Sequence, residues 1–185
     1  ERLGSFRFYI VFTAAAAVGA YTHLLLTALF SPEYLQYGVI GASGATSGIL
    51  GAYLVRLYFS RVRVAYWIFM PLQGVNRVGR SYVPVVFAVL FWFALQWIRT
   101  VMQLGTGGMR VAYSVHIGGF AAGILLALAF GASALARAEG HLAAARRRFA
   151  GADWLGAQVE YAEYLAIESG DAEAHAGLSR AFLAA

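Results

Sequence analysis

Long uncharged runs dominate this chain as far as Ala136, and they set what it can fold into. Phe8–Phe30 contains no Asp, Glu, Lys or Arg, and one histidine, His23. Tyr34–Val55 is uncharged, and Ser81–Ile98 is uncharged and extends to Leu104 past a single Arg99. Val111–Ala136 carries only His116. A helix that crosses a bilayer needs about 20 mostly apolar residues, and each run supplies or nearly supplies that length. Soluble core helices give isolated runs of this kind. Four of them, beside only Glu1 and Glu33 as carboxylates in residues 1–136, point to hydrocarbon as the solvent. Composition agrees: 61% of the residues are hydrophobic and 12% are charged, against ~25% charged in a soluble domain.

The expected fold is an all-α, polytopic membrane helical bundle over 1–136, with spans near 8–30, 36–56, 81–103 and 112–133. A small soluble helical tail follows at 137–185. A fifth apolar piece, Val64–Asn76, is too short to span and contains Pro71 and Gly74. Its Arg-flanked aromatics Tyr66, Trp67 and Phe69 suit a segment at the membrane interface.

All 14 basic residues are arginine. Residues 1–136 hold nine of them against two acidic residues, and residues 137–185 hold five against seven. That split separates two regions with different solvents and argues against nucleic acid as a partner. Four spans put both ends on one side. That side collects Arg2, Arg7, Arg56, Arg61, Arg63, Arg77, Arg80, Arg137 and Arg146 to Arg148, whereas only Arg99 and Arg110 fall on the other. By the positive-inside rule the N-terminus, the loop around 60–80 and the C-terminal tail are cytoplasmic. The turn near Ser31–Tyr37 and the glycine-rich loop near Gly105–Gly108 then face outward. The absence of cysteine excludes disulfides, zinc–thiolate sites, iron–sulfur clusters and thiol nucleophiles. The chain opens on Glu1 with no signal peptide before its apolar runs, and is expected to be a piece of something longer.

Beyond Ala136 the polarity changes. Leu142–Phe149, Trp154–Ile167 and Ala172–Leu183 read as amphipathic helices, broken at Gly151 and at Gly170–Asp171. Phe149, Gly151, Trp154, Ala157, Tyr161, Leu165, Ala174 and Leu178 weakly resemble a tetratricopeptide repeat. The alternative is a short helical tail without repeat character.

Two polar clusters interrupt the apolar spans, and such groups are functional candidates because hydrocarbon penalises them. One is Gly41-Ala-Ser43-Gly44-Ala-Thr-Ser47-Gly48; the other is Ser114-Val-His116-Ile-Gly-Gly119-Phe-Ala-Ala-Gly123. Both lie near the outer ends of spans that run inward. Gly44, Gly48 and Gly51 make one stripe at helical spacing, and Gly119 and Gly123 repeat the small-xxx-small pattern on the face of His116. A close crossing on these glycines brings the Ser43 hydroxyl toward the His116 imidazole. Imidazole within hydrogen-bond reach makes a serine nucleophilic, and no Asp or Glu lies inside a span to form a triad. The Ser43 backbone N–H, near a helix start, is placed to stabilise an oxyanion. The competing reading is packing alone, with the histidine bonded to a backbone carbonyl. His23 is expected to bond a neighbouring helix through Thr22, Thr27 or a carbonyl, and Gln96 and Trp97 to serve packing and the interface. Glu33 and Tyr34 carry no specific signal.

GASGATSGILGAY at 41–53 resembles the nucleophile segment of the rhomboid intramembrane serine proteases, and VHIGGFAAGILL at 115–126 resembles the family's histidine segment. LFWFALQ at 90–96 is similar to the tryptophan- and glutamine-bearing helix between them. The resemblance covers roughly residues 1–131 and corresponds to the last four of the family's six core helices. The first two, with the helix whose His and Asn complete the oxyanion hole, fall outside it. It implies Ser43 as nucleophile, His116 as base, and Gly41 and Gly44 in the nucleophile loop, with Gly41 helping the oxyanion hole.

The function so implied is an intramembrane serine endopeptidase of the plasma (inner) membrane, acting on transmembrane protein substrates through an acyl-enzyme. It needs no cofactor and no metal. Its partners are those substrates, the lipid bilayer, and a cytoplasmic or membrane-complex protein bound through 137–185. The alternative is an inactive member of the same fold that binds helices or serves as a structural subunit. A transporter or channel fits less well, because the spans hold no carboxylates and no internal repeat.

Overall fold

The computed structural model describes residues 4–38, 40–70, 74–106 and 112–185. Arg2, Pro71 and the loop segment 107–111 with Arg110 lie outside the described residues. The chain divides into two compact units, Glu1–Phe130 and Gly131–Ala185.

In the first unit, α1 (Ser5–Phe30) leads through a 3-10 turn at Pro32–Tyr34 to α2 (Ser43–Arg56). A hairpin of β1 (Arg61–Met70) and β2 (Val75–Pro84) follows, then α3 (Val85–Thr106) and α4 (Tyr113–Ala129). Helix α4 packs against α1, α2 and α3, and α1 also packs against α2. The unit is a helical membrane bundle. Its α1 and the Val85–Gln103 part of α3 are each long and apolar enough to cross a membrane. Tyr9, Leu25, Leu29, Phe87, Phe91, Trp97 and Met102 are exposed on these helices, an outward apolar surface suited to lipid.

The interior is built from small side chains. Val11, Ala15, Gly19, His23 and Thr27 of α1 recur every four residues and form its buried stripe. Gly44, Gly48, Gly51 and Ala52 do the same on α2, and Gly119, Ala122 and Gly123 on α4. Without large side chains in the way, backbones approach closely and dispersion replaces the hydrophobic effect that lipid cannot supply. Aromatic packing closes the α3 side: Phe93 stacks on Phe120 with ring centroids 4.5 Å apart, next to Val85 and Val89.

Two segments depart from the sequence expectation. Within the run Tyr34–Val55 the α-helix begins at Ser43, and Gly41 at φ 137° adopts a backbone conformation that L side chains rarely take. Residues 64–70 and 75–76 of the expected interface segment are strand, part of a hairpin that pairs antiparallel from Arg61↔Pro84 to Met70↔Val75. Its β-branched and aromatic residues favour strands, and Gly74 supplies a positive φ of 65° beside the turn. The hairpin also takes Ser81–Pro84, so α3 starts at Val85, four residues into the expected span. Pro84 has no N–H to extend the ladder, and the chain turns helical directly after it.

In the second unit, α5 (Ala132–Ala150) packs on α6 (Trp154–Ile167), and α6 on α7 (Ala172–Ala184). Gly131, left-handed at φ 72°, separates α4 from α5. Ala138, Ala145, Ala157, Tyr161, Tyr164 and Leu165 form the core of this unit, with Ala174 and Ala181 of α7. Asp153 caps α6 by accepting from the Gly156 N–H at 3.0 Å. Asp171 caps α7 by accepting from the Glu173 and Ala174 N–H groups at 2.9 and 3.1 Å.

Candidate active site

Ser43 is the first residue of α2, with Gly41 and Ala42 before it. The first intrahelical bond of this end runs from the Thr46 N–H to the Ala42 carbonyl at 3.0 Å. The N–H groups of Ser43, Gly44 and Ala45 therefore precede the helical ladder, at the positive end of the helix dipole. The Ser43 side chain is exposed at the helix start. Ser47, one turn on, is buried and donates its hydroxyl to the Ser43 carbonyl at 2.7 Å. A Cβ added to Gly41 would stand 3.9 Å from the Ser43 Oγ, so backbone conformation and not crowding asks for glycine there.

His116 lies in the first turns of α4, which starts at Tyr113. Helices α2 and α4 run parallel and in contact: a Cβ on Gly119 would meet the Gly44 carbonyl, and one on Gly123 would meet the Gly48 carbonyl. A Cβ on Gly51 would in turn meet the Phe120 carbonyl, and one on Gly48 the Ala15 Cβ of α1. The crossing brings the N-terminal ends of α2 and α4 side by side. Ser43 and His116 consequently line one cavity of about 460 Å³, together with Thr46, Ser47, Tyr53 and Trp92. Among the described residues the Ser43 hydroxyl forms no hydrogen bond with His116.

The imidazole is held from α3. Gln96, 9% exposed, has its Oε1 2.8 Å from His116 Nδ1. The Trp92 ring lies 6.1 Å from the imidazole centroid, and the Tyr113 ring stands edge-on at 6.0 Å. Arg99 donates to the Tyr113 hydroxyl at 2.9 Å and sits 5.4 Å from its ring centroid. Gln96 thus contacts the candidate base, a role that the packing interpretation of Gln96 and Trp97 passed over. A polar amide in an uncharged span was the available signal. Trp97 is exposed on the outer face. His23 bonds a neighbouring helix as expected, with the Ser114 hydroxyl as its partner there: its Nδ1 lies 2.8 Å from the Ser114 Oγ, a buried pair joining α1 to α4. Thr22 spends its hydroxyl on the Val18 carbonyl. Glu33 and Tyr34 stand in the 3-10 turn and do not line the cavity. No group of three or more His, Cys, Asp or Glu suited to a metal occurs among the described residues.

The Rhomboid domain model matches residues 1–133, and the chain belongs to the rhomboid family. That family comprises intramembrane proteases and inactive homologues. No curated protein and no solved structure matches the chain.

Proposed function

We propose that this chain is an intramembrane serine endopeptidase, with Ser43 as nucleophile and His116 as general base. The observation that carries the reading is the shared cavity: an exposed serine at a helix start and an imidazole fixed by Gln96 line the same space. Ser43 Oγ attacks the carbonyl carbon of a peptide bond in a locally unwound transmembrane substrate while His116 Nε2 takes the hydroxyl proton. The C–N bond then breaks as His116 returns that proton to the leaving amine. Water adds to the acyl-enzyme with His116 again as base, which releases the acid and restores Ser43. The N–H groups at the start of α2, with Gly41 and Gly44 flanking the serine, are suited to stabilise the oxyanion. Ser47, whose hydroxyl is tied to the Ser43 carbonyl, is the poorer nucleophile. A fluorophosphonate probe tests the assignment: on the protein in proteoliposomes it labels Ser43 and not Ser47, and labelling elsewhere overturns it.

A second reading, an inactive rhomboid-like protein that binds membrane helices, is favoured by one observation. Among the described residues the Ser43 hydroxyl makes no hydrogen bond to His116. Catalytic hydrogen bonds often tighten only with substrate, so the protease reading stands first. The arginine distribution supports a plasma (inner) membrane orientation with a cytoplasmic C-terminus. The three consecutively packed helices of the tail support a tetratricopeptide-like role in binding a protein partner.

A further inference from the structure

We infer that Gln96 is a positioning residue for His116: its carboxamide oxygen accepts the Nδ1 proton, fixes one tautomer, and leaves Nε2 unprotonated for Ser43. This rests on the protease reading of the cavity and adds a third member to it. Three observations converge. The Oε1–Nδ1 separation is 2.8 Å, and an amide oxygen can only accept, so the proton belongs on the imidazole. Gln96 is buried, and a buried amide without a partner costs free energy, so the pairing is not incidental. The contact is also one of a series. Trp92, Gln96 and Arg99 of α3, spaced as one helix face, meet His116 and Tyr113 of α4.

The residue type follows from the solvent. A serine–histidine pair gains from a third group that orients the ring and selects the tautomer. A carboxylate does this in water-exposed enzymes, but residues 34–138 contain no Asp or Glu. Burying an unpaired carboxylate at membrane depth is costly. A neutral carboxamide orients the ring without that charge, and stabilises the imidazolium less.

The reversed amide would donate to Nδ1 and put the proton on Nε2, where it blocks attack. Nitrogen-15 NMR of histidine-labelled protein in nanodiscs separates the two arrangements, with His116→Ala assigning the resonance. The expected result is His116 protonated at Nδ1 in the wild type, with that preference lost in Gln96→Leu. Labelling of Ser43 by fluorophosphonate, and kcat on a model transmembrane substrate, fall about 100-fold in Gln96→Leu with KM little changed. Gln96→Glu, which still accepts from Nδ1, retains the tautomer and restores most of kcat. An Nε2-protonated His116 in the wild type overturns the proposal, and so does a Gln96→Leu variant that labels within twofold of wild type. The wild-type spectrum requires no variant to fold. If Ser43 is never labelled while the Nδ1 tautomer is present and depends on Gln96, the protease reading falls and the positioning role stands.

Discussion

The Gly44 carbonyl of α2 occupies the place where a Cβ on Gly119 of α4 would stand. The relation repeats one turn on, with Gly48 and Gly123, so two parallel helices touch backbone to backbone beneath the cavity that Ser43 and His116 line.

Substitution of Gly119 or Gly48 by Leu is therefore expected to push the helices apart. The side chain added at Gly119 meets the Gly44 backbone, and the one added at Gly48 meets the Ala15 Cβ of α1 and then the Gly119 carbonyl; none of these can rotate away as the end of a flexible side chain would. Overpacking of this kind costs about 1–3 kcal/mol, and a shift of about 1 Å between reacting groups is enough to cost about 100-fold in turnover. Thermal melts in detergent and cleavage assays in proteoliposomes check both effects. Wild-type melting with wild-type turnover in both variants would show that the contact does not matter.

Removing one hydroxyl from Ser43 leaves the α2–α4 contact untouched. Ser43→Ala should keep the wild-type melting temperature and lose at least about 1000-fold of cleavage. Ser47→Ala gives up a hydrogen bond worth about 1 kcal/mol to its own helix and should retain most activity. Equal losses in the two variants would remove the distinction between them.

Side-chain labelling can read the orientation directly, because the chain has no cysteine of its own. Gln36→Cys, in the turn after α1, and Arg77→Cys, on β2, should react with a membrane-impermeant maleimide from opposite sides. Arg77 labels from the cytoplasmic side, as the arginine distribution requires. Labelling of both from one side would end the four-span reading.

In the C-terminal unit, Tyr164 donates to the Asp171 carboxylate at 2.7 Å. That bond, with burial and the charge of Asp171, raises the tyrosine from 10.0 to about 12. The same bond, with the Ala174 and Glu173 N–H groups, lowers Asp171 from its ordinary 3.8. A raised tyrosine adds stability that is complete below about pH 10 and is lost as pH climbs toward 12. A lowered aspartate adds stability that is present above its unfolded value and is lost as pH falls through the folded one. Hydrogen exchange of the α6 and α7 amides should therefore be most protected between these limits. Tyr164→Phe should lower that protection by about 1 kcal/mol at neutral pH and abolish the alkaline loss. An unchanged alkaline limb in this variant would show that another group sets it.

The sequence alone marked 8–30 and 81–103 as spans, and in the structure Ser5–Phe30 and Val85–Gln103 are helices long and apolar enough to cross a membrane, because uncharged length is a local property that hydrocarbon demands whatever the neighbours do. It also singled out Ser43 and His116, since polar groups among glycines stand out in an apolar run. The strand pairing at 61–84 was not legible there: arginines alternating with β-branched and aromatic residues suit an interface segment as well as a strand, and only pairing with β2 sets the register. The start of α2 at Ser43, rather than at the head of its apolar run, was likewise a matter of the backbone at Gly41. The partner of Gln96, as opposed to its standing as a polar amide in an uncharged span, was decided by the tertiary structure. Gln96 is 20 residues from His116 and on another helix, and only the packing of α3 against α4 turns a buried amide into the partner of an imidazole.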